Sequence, residues 1–215
     1  MKSACIITDG FAQTTQAVFP GRSLVRYLPI QVVPLKTSDP SSTNTLQGGI
    51  SARLTSRLVY PTEEMIAELL FNSAQEFDEI LVIITSSALS PLYGIVEEVV
   101  NTSPVCSRIK LIDSSSISIG LGYLVEKSAQ MLVAQKNISQ IEETIRSIIN
   151  HIYSIFCIPN LSNLYLSGFL DDAQAMVGEI LGLYPLFTLE EGRLTPLQKV
   201  KNSRAALDYF QEFID

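Results

Sequence analysis

The stretch DEILVIITSSALSPLYG, residues 78–94, decides the fold because an aliphatic run passes directly into hydroxyl residues. The strand predicted over residues 80–85, which is aliphatic up to Thr85, carries no charge and has the length of a strand buried on both faces. Ser86 and Ser87 follow, at a point where free backbone N–H groups and a helix N-terminus form a site for anions. The same two serines are also expected if they only cap a turn, which is the commoner role of serine.

Strands and helices alternate on both sides of this stretch. Ser90 before Pro91 has the pattern of a helix cap and a first helical residue, which predicts a helix through about Val100. The other predicted strands are residues 4–8, 31–35 and 109–112, a loop is predicted over 37–49, and further helices are predicted after Pro61, over 119–136 and from Ser139, which has capping-box spacing to Glu142. This order is typical of a parallel sheet with helices on both faces, in which ligands bind beyond the carboxyl ends of the strands.

The pattern changes near residue 154. The segments predicted beyond this point are a helix over 173–183, a hairpin of strands over 185–189 and 195–200, and a last helix capped by Ser203. The sequence therefore predicts an α/β fold, in which residues 1–153 form an N-terminal parallel sheet with helices on both faces. Residues 154–215 are predicted to form a smaller C-terminal α+β domain.

The composition excludes several classes of function. The formal net charge is −7 and the sequence has no basic patch, so binding to nucleic acid or to an anionic membrane surface is not expected. The charge-free stretch over residues 80–96 contains three serines and a proline, which disfavour a membrane span, and we expect a cytoplasmic protein. Charged residues make up only 17%, against about 25% in typical domains, which favours apolar area that faces a ligand or the second subunit of a homodimer.

No catalytic residue, metal site or cofactor is predicted. His151 is the only histidine and lies in a helical pattern far along the chain from the serine-rich strand ends, so a serine nucleophile lacks a base. The three cysteines are too far apart for zinc-ligand spacing. Gly120 and Gly122 lack the third glycine of a dinucleotide fingerprint, and no phosphate-binding loop is present.

A second hydroxyl-rich segment follows the predicted strand over 109–112. Asp113 comes directly after this strand and is followed by three serines. In a parallel sheet this segment lies at the same edge as Ser86 and Ser87, which makes two hydroxyl-rich strand ends harder to explain by capping alone. The candidate ligand-binding residues at this second strand end are Ser115, Ser118 and Gly120.

Several short segments together resemble the DegV family of bacterial fatty-acid-binding proteins. In chain order these segments are Ile7-Thr8-Asp9, Val33-Pro34-Leu35, Thr55-Ser56, Thr85 to Ser90 with Tyr93, Ile112-Asp113-Ser114, Ser118 to Gly122, Tyr184 to Gly192, and Lys199-Val200. No single segment is specific, but their order and spacing cover nearly the whole chain.

The resemblance implies one long-chain fatty acid in a tunnel between the N-terminal α/β domain and the C-terminal α+β domain. The ligand carboxylate is then held by the hydroxyl of Thr55, with Ser56 beside it, and by that of Ser86 or Ser87, together with N–H groups of a helix. The resemblance further implies a non-catalytic carrier without a cofactor, which presents the carboxylate to a separate kinase that makes the acyl phosphate.

The chain departs from the family pattern at two basic segments. Residues 167–169 are Ser-Gly-Phe where the family usually has Gly-Gly-Arg, and residues 199–202 are Lys-Val-Lys-Asn in place of Lys-Val-Arg-Thr. These departures leave the kinase partner open. Two alternatives to the lipid carrier remain: a DegV-like scaffold that acts through protein contacts, such as a dimer interface, without lipid, and a small-molecule enzyme at the same sheet edge, which the lack of a base disfavours.

Overall fold

The computed structural model describes residues 3–34, 43–45, 51–53, 56–158 and 182–214. The chain divides into two compact units, which are described separately. The first comprises Met1–Gln31, Tyr60–Tyr153 and Glu191–Arg193, and the second comprises Val32–Val59, Ser154–Glu190 and Leu194–Asp215. The division into domains of residues 1–153 and 154–215 stays a prediction.

The secondary structure follows the alternation expected from the sequence. In chain order the strands are β1 (Ala4–Asp9), β2 (Val25–Leu28), β3 (Gln31–Pro34), β4 (Thr43–Thr45), β5 (Ser51–Arg53), β6 (Ser56–Val59), β7 (Glu79–Ile84), β8 (Ile109–Asp113), β9 (Ile155–Cys157), β10 (Tyr184–Glu190) and β11 (Arg193–Val200). The helices are α1 (Glu63–Glu76), α2 (Leu92–Thr102), α3 (Ser118–Val133), α4 (Ile138–Ile149) and α5 (Ser203–Ile214). Within the described ranges, every helix is too short or too polar to cross a membrane.

The first unit is built on a parallel sheet of four strands in the order β2-β1-β7-β8. Residues 80–84 of β7 are fully buried because helices cover both faces of the sheet. One face packs against α1 and α2 and includes Ile80, Val82 and Ile84, and the other packs against α3 and α4 and includes Leu81 and Ile83. This arrangement confirms the predicted fold class and explains why β7 is aliphatic at every position from Ile80 to Ile84.

The sequence missed β2, the edge strand beside β1 in this sheet. β2 pairs in parallel with β1, and its residues include Arg26 and Tyr27, so it lacks the aliphatic run of the central strands. An edge strand has only one neighbour and tolerates polar residues, which is why the hydrophobic pattern did not reveal it. The predicted strand at 31–35 is present as β3, but it pairs with β6 in a separate two-stranded sheet.

The helices predicted within the described residues are present, but several caps differ from those expected. The capping box of α4 is formed by Asn137 and Gln140 rather than by Ser139 and Glu142, because the Asn137 side chain and the Gln140 side chain each accept from the other's backbone N–H. At α5 the cap is Asn202, whose side chain accepts from the Ala205 N–H at 2.9 Å, whereas the predicted cap Ser203 is the first helical residue.

The second unit contains an antiparallel sheet in the order β11-β10-β9, which confirms the predicted hairpin of β10 and β11. β4 and β5 form a second antiparallel pair, so the expectation of an unstructured loop over 37–49 is wrong for Thr43–Thr45. These short polar strands carry no apolar alternation by which the sequence could have revealed them. Residues 159–181, which contain most of the helix predicted over 173–183, lie outside the described residues.

Candidate functional site

The carboxyl ends of β1, β7 and β8 meet at one edge of the parallel sheet. The segments that begin at these strand ends, residues 9–16, 85–90 and 113–120, are called the rim below. The rim is the position at which open α/β sheets bind ligands. Ser86, Ser87, Ser115, Ser118 and Gly120 all belong to it, so the structure brings five of the seven candidate residues to one sheet edge.

A buried aspartate joins the ends of β1 and β7. The Asp9 carboxylate accepts from the Thr85 N–H at 2.7 Å and from the Thr85 hydroxyl at 3.0 Å, and it also accepts from the Phe11 N–H at 2.9 Å. Burial raises the pKa of Asp9 above its ordinary value, although these hydrogen bonds act in the opposite direction. Asp9 therefore fixes the backbone at the start of the rim and is not exposed to a ligand.

Ser86 is a buried structural residue of the rim. Its hydroxyl donates to the carbonyl oxygen of Gly192 at 2.8 Å and accepts from the Ala88 N–H at 3.3 Å, and its own N–H donates to the Ser116 carbonyl at 2.9 Å. Gly192 has φ +76°, and a Cβ there would lie 2.4 Å from the Ser86 Oγ, so only glycine fits this contact. The hydroxyl of Ser86 is thus already engaged within the protein.

Ser87, in contrast, is exposed at the end of β7. Its N–H donates to the Asp113 carboxylate, at 3.3 Å from Oδ2 and 3.4 Å from Oδ1, which fixes its backbone. Its hydroxyl has no hydrogen-bond partner among the described residues. Of the two serines that the sequence could not tell apart, Ser87 is the one available to a ligand.

The backbone N–H groups of this junction are largely satisfied by the junction itself. The N–H groups of Leu89 and Ser90 donate to the Ser86 carbonyl at 3.0 and 3.1 Å, and the Leu92 N–H donates to the Ser90 hydroxyl at 3.2 Å. These three N–H groups thus have partners within the protein, and the expectation that helix N–H groups hold the ligand stays a prediction.

Three serines follow Asp113 at the end of β8, two of them buried and one half-buried. Ser114 and Ser116 are buried and bond each other, with the Ser114 hydroxyl donating to the Ser116 carbonyl at 3.1 Å. Ser115 is half-buried, has φ +47°, and donates its N–H to the Asp113 Oδ1 at 2.9 Å. The Ser115 hydroxyl has no hydrogen-bond partner among the described residues, so it resembles Ser87 in availability.

Gly120 has a packing role that its sequence position did not reveal. A Cβ at Gly120 would lie 2.2 Å from the Ser116 Oγ, so glycine leaves room for that buried hydroxyl. The Ser118 hydroxyl donates to the Gln13 side chain at 3.1 Å, and the Gln13 N–H donates to the Ser118 carbonyl at 3.1 Å. Both candidates thus have internal partners, and their contact with a ligand stays a prediction.

Sequence reasoning missed a buried carboxylate that anchors the loop after β1. Glu126 on α3 accepts from the Thr15 hydroxyl at 2.8 Å, from the Thr15 N–H, and from the Gln16 N–H at 3.2 Å. A signal was present, because Glu126 falls at helical spacing within the buried stripe of α3, next to Val125 and four residues after Gly122. A charged residue on a buried face is rarely accidental.

The two remaining candidates lie elsewhere in the chain. Thr55 is outside the described residues. Ser56 is the first residue of β6, is half-buried, and belongs to the second unit. The assignment of both residues to the ligand stays a prediction.

The chemistry available at the rim is hydrogen bonding by hydroxyl groups. The single histidine, His151, lies beyond the end of α4, where its Nδ1 is 2.8 Å from the Ser147 carbonyl oxygen. In the described part of the chain, no group of three or more histidine, cysteine or acidic residues could hold a metal ion. Burial raises the pKa of the Tyr93 phenol, and the charges of Glu97 and Asp113 add to this effect. The rim thus has neutral hydroxyl donors beside carboxylates that hydrogen bonds within the protein hold in place.

Comparison with known proteins identifies relatives over almost the whole chain. A model of the family described as "Uncharacterised protein, DegV family" matches residues 5–215. The DegV domain-containing protein TTE1491 of Caldanaerobacter subterraneus subsp. tengcongensis is 31% identical over 157 residues, which cover 72% of this chain and 54% of that protein. The chain thus spans about half the length of the curated relatives it matches.

Solved structures share the fold. A fatty-acid-binding DegV family protein from Thermus thermophilus superposes with a TM-score of 0.76 at 21% identity, covering 98% of this chain and 77% of that one. A DegV family protein from Eubacterium eligens, solved loaded with heptadecanoic acid, superposes with a TM-score of 0.73 at 18% identity, covering 99% of this chain and 78% of the other. Both are similar to this chain in architecture.

Proposed function

This chain belongs to the DegV family, and on that premise we propose that it binds one long-chain fatty acid as a non-catalytic carrier. The fatty acids bound by its structural relatives support the choice of ligand. The acyl chain occupies an apolar tunnel, and the ligand carboxylate is held by serine and threonine hydroxyls. In this proposal Thr55 and Ser87 are the principal donors, and Ser56 lies beside the first of them.

The observation that carries the proposal is the Ser87 hydroxyl, which is unpartnered among the described residues. Ser87 is exposed at the end of β7, its backbone is held by the Asp113 carboxylate, and its hydroxyl has no partner among the described residues. A capping serine would instead bond its own helix, as Ser90 does at Leu92. A fixed backbone with an unused donor is what recognition of a carboxylate requires.

The two ends of the ligand contribute differently to the binding free energy. Burial of a methylene contributes about 0.8 kcal/mol, so a long acyl chain supplies on the order of 10 kcal/mol before the cost of ordering it. The head group therefore needs only orientation and satisfied hydrogen bonds. Neutral hydroxyl groups can orient the carboxylate and satisfy its hydrogen bonds, so the site does not require a buried cation.

The carrier performs no chemistry itself in this proposal. A nucleophilic serine needs a base within hydrogen-bond reach, and the ring of His151 is bonded at the end of α4 instead. Presentation of the carboxylate to a separate kinase follows from family membership and belongs to the proposal, as does a cytoplasmic location.

Native mass spectrometry of gently purified protein tests the proposal. We expect a population whose mass exceeds that of the 215-residue chain by one fatty acid, and organic extraction should release that acid. Protein stripped of lipid should regain one equivalent of added heptadecanoate. A chain that is dimeric, carries no lipid and takes up no heptadecanoate would instead support the scaffold without lipid.

A further inference from the structure

The Asp113 carboxylate connects the ends of two neighbouring strands. It accepts from the Ser115 N–H at 2.9 Å, two residues further along its own chain, and from the Ser87 N–H at 3.3 and 3.4 Å across the sheet edge. The Oδ1 atom is shared by both contacts. Ser87 and Ser115, two rim serines whose hydroxyls lack partners among the described residues, are therefore held by one side chain.

The bond to Ser115 maintains a backbone conformation that serine rarely adopts. Ser115 has φ +47°, in the left-handed region, which is unfavourable for a residue with a Cβ. An aspartate that bonds the N–H two residues further on forms a local turn that stabilises such a backbone. Unfavourable backbone angles of this kind persist where the surrounding structure holds them, and they cluster at functional sites.

We propose that Asp113 is a positioning residue of the fatty-acid site, holding Ser87 and Ser115 so that their two hydroxyls act as a donor pair for the ligand carboxylate. This inference rests on the proposed function. It adds Ser115 to the principal donors and gives Ser86 a purely structural role, since its hydroxyl is bonded to Gly192. Asp113 acts through two backbone N–H groups and does not itself bind the ligand, because two carboxylates repel each other.

A pair of variants separates positioning from charge. Asp113→Asn and Asp113→Ala both remove the negative charge, so both remove its repulsion of the ligand. Asparagine keeps the side-chain oxygen that accepts from the Ser115 N–H, whereas alanine keeps no acceptor. Any difference in binding between these two variants therefore reports the hydrogen bonds and not the charge.

The experiment is native mass spectrometry with heptadecanoate and heptadecan-1-ol competing for lipid-free protein. The acid and the alcohol share the acyl chain, so the ratio of bound acid to bound alcohol reports the head-group site alone. We expect Asp113→Ala to lower this ratio about tenfold relative to Asp113→Asn, as for the loss of one hydrogen bond to a charged group. Asp113→Asn should match or exceed the wild-type ratio, and Asp208→Asn, at an exposed site on α5, should leave it unchanged.

Each outcome bears on one claim. Equal ratios for folded Asp113→Ala and Asp113→Asn would overturn the positioning role while leaving fatty-acid binding intact. A parallel loss of acid binding and alcohol binding would also overturn the positioning role. Failure of the wild-type chain to take up either ligand would instead overturn the proposed function. If Asp113→Ala does not fold, Asp113→Ser replaces it, because a serine hydroxyl can accept from the Ser115 N–H but is too short to reach Ser87. The ratio is then again expected to fall about tenfold, and no change would overturn the proposal.

Discussion

Ser86 and Ser87 are adjacent residues of the same type whose environments differ completely. Ser86 is buried, and its hydroxyl donates to the carbonyl oxygen of Gly192, which is 106 residues away in sequence, whereas Ser87 is exposed. The sequence placed both serines at the right strand end because the aliphatic run and the following hydroxyls are local signals. It could not separate them, because the partner that engages Ser86 comes from a distant segment.

Alanine substitution should mainly lower the stability of the fold at Ser86 and mainly weaken ligand binding at Ser87. Ser86→Ala leaves the buried Gly192 carbonyl without its donor and should lower the free energy of unfolding by about 1–2 kcal/mol. Ser87→Ala should change that free energy by less than about 0.5 kcal/mol but weaken heptadecanoate binding about tenfold. Urea unfolding and ligand titration of both variants check this. Unchanged lipid binding by Ser87→Ala would contradict the head-group assignment.

Asp9 makes the stability of the fold depend on pH in a defined direction. Burial raises its pKa in the folded protein above the ordinary value of 3.8, so the folded protein holds this proton more tightly than the unfolded chain does. Its contribution to stability is therefore fully present below the unfolded pKa and is lost as pH rises through the folded pKa. Each unit of difference between the two pKa values corresponds to about 1.4 kcal/mol.

The pH effect is measured against Asp9→Asn, which cannot ionise. We expect the free energy of unfolding of the wild-type chain, relative to Asp9→Asn, to decrease as the pH rises above 3.8, the ordinary pKa of this carboxyl group. The other titrating groups are common to both proteins and cancel in the difference. A difference that grows with pH would show that the hydrogen bonds from Thr85 and Phe11 outweigh burial.

At the scale of elements, α3 fixes the loop that follows β1. Its buried Glu126 binds Thr15 and Gln16, and the backbone of Gln13 lies against Gly122 so closely that a Cβ there would be 1.9 Å from the Gln13 carbonyl oxygen. Periodicity predicted α3 and its buried face. Periodicity could not predict that a carboxylate on that face bonds, and a glycine on it packs against, a loop more than a hundred residues earlier in the chain.

Two glycine substitutions in helices test this packing. Gly122→Ala places a methyl group against backbone atoms that cannot move aside, and it should lower the free energy of unfolding by about 1–3 kcal/mol. Gly94→Ala, in α2, meets nothing within 4 Å and should raise it by about 0.5–1 kcal/mol, as expected for alanine in a helix. Chemical denaturation measures both. Similar values for the two variants would show that α3 and the loop are not tightly packed.

Elements with a strong local pattern were predictable, and those defined by distant partners were not. β7 and α1 were found because aliphatic runs and helical spacing are local properties. β2 was missed because an edge strand can be polar, and the β4–β5 pair was missed because its residues lack apolar alternation. The cap of α4 was misplaced because Asn137 and Ser139 are both good capping residues, and the choice depends on the geometry that Gln140 supplies.

For the whole molecule, the parallel sheet is what converts separate sequence segments into one candidate site. Residues near positions 9, 86 and 113 meet only because β1, β7 and β8 are parallel neighbours whose carboxyl ends share an edge. In the proposed function this edge binds a fatty acid, and the donors are the hydroxyls of Ser87 and Ser115, which have no partner among the described residues. Thr55 could be named only from the family resemblance, because neither composition nor periodicity marks it.

The measurement that tests the central claim most directly is a crystal structure of this chain grown with heptadecanoic acid. We predict that the carboxylate lies within hydrogen-bond distance of the Ser87 Oγ, with the Ser86 hydroxyl still bonded to the Gly192 carbonyl. A fatty acid whose carboxylate is remote from residues 87 and 115, or a Ser86 hydroxyl that leaves Gly192 to bind the ligand, would contradict the account.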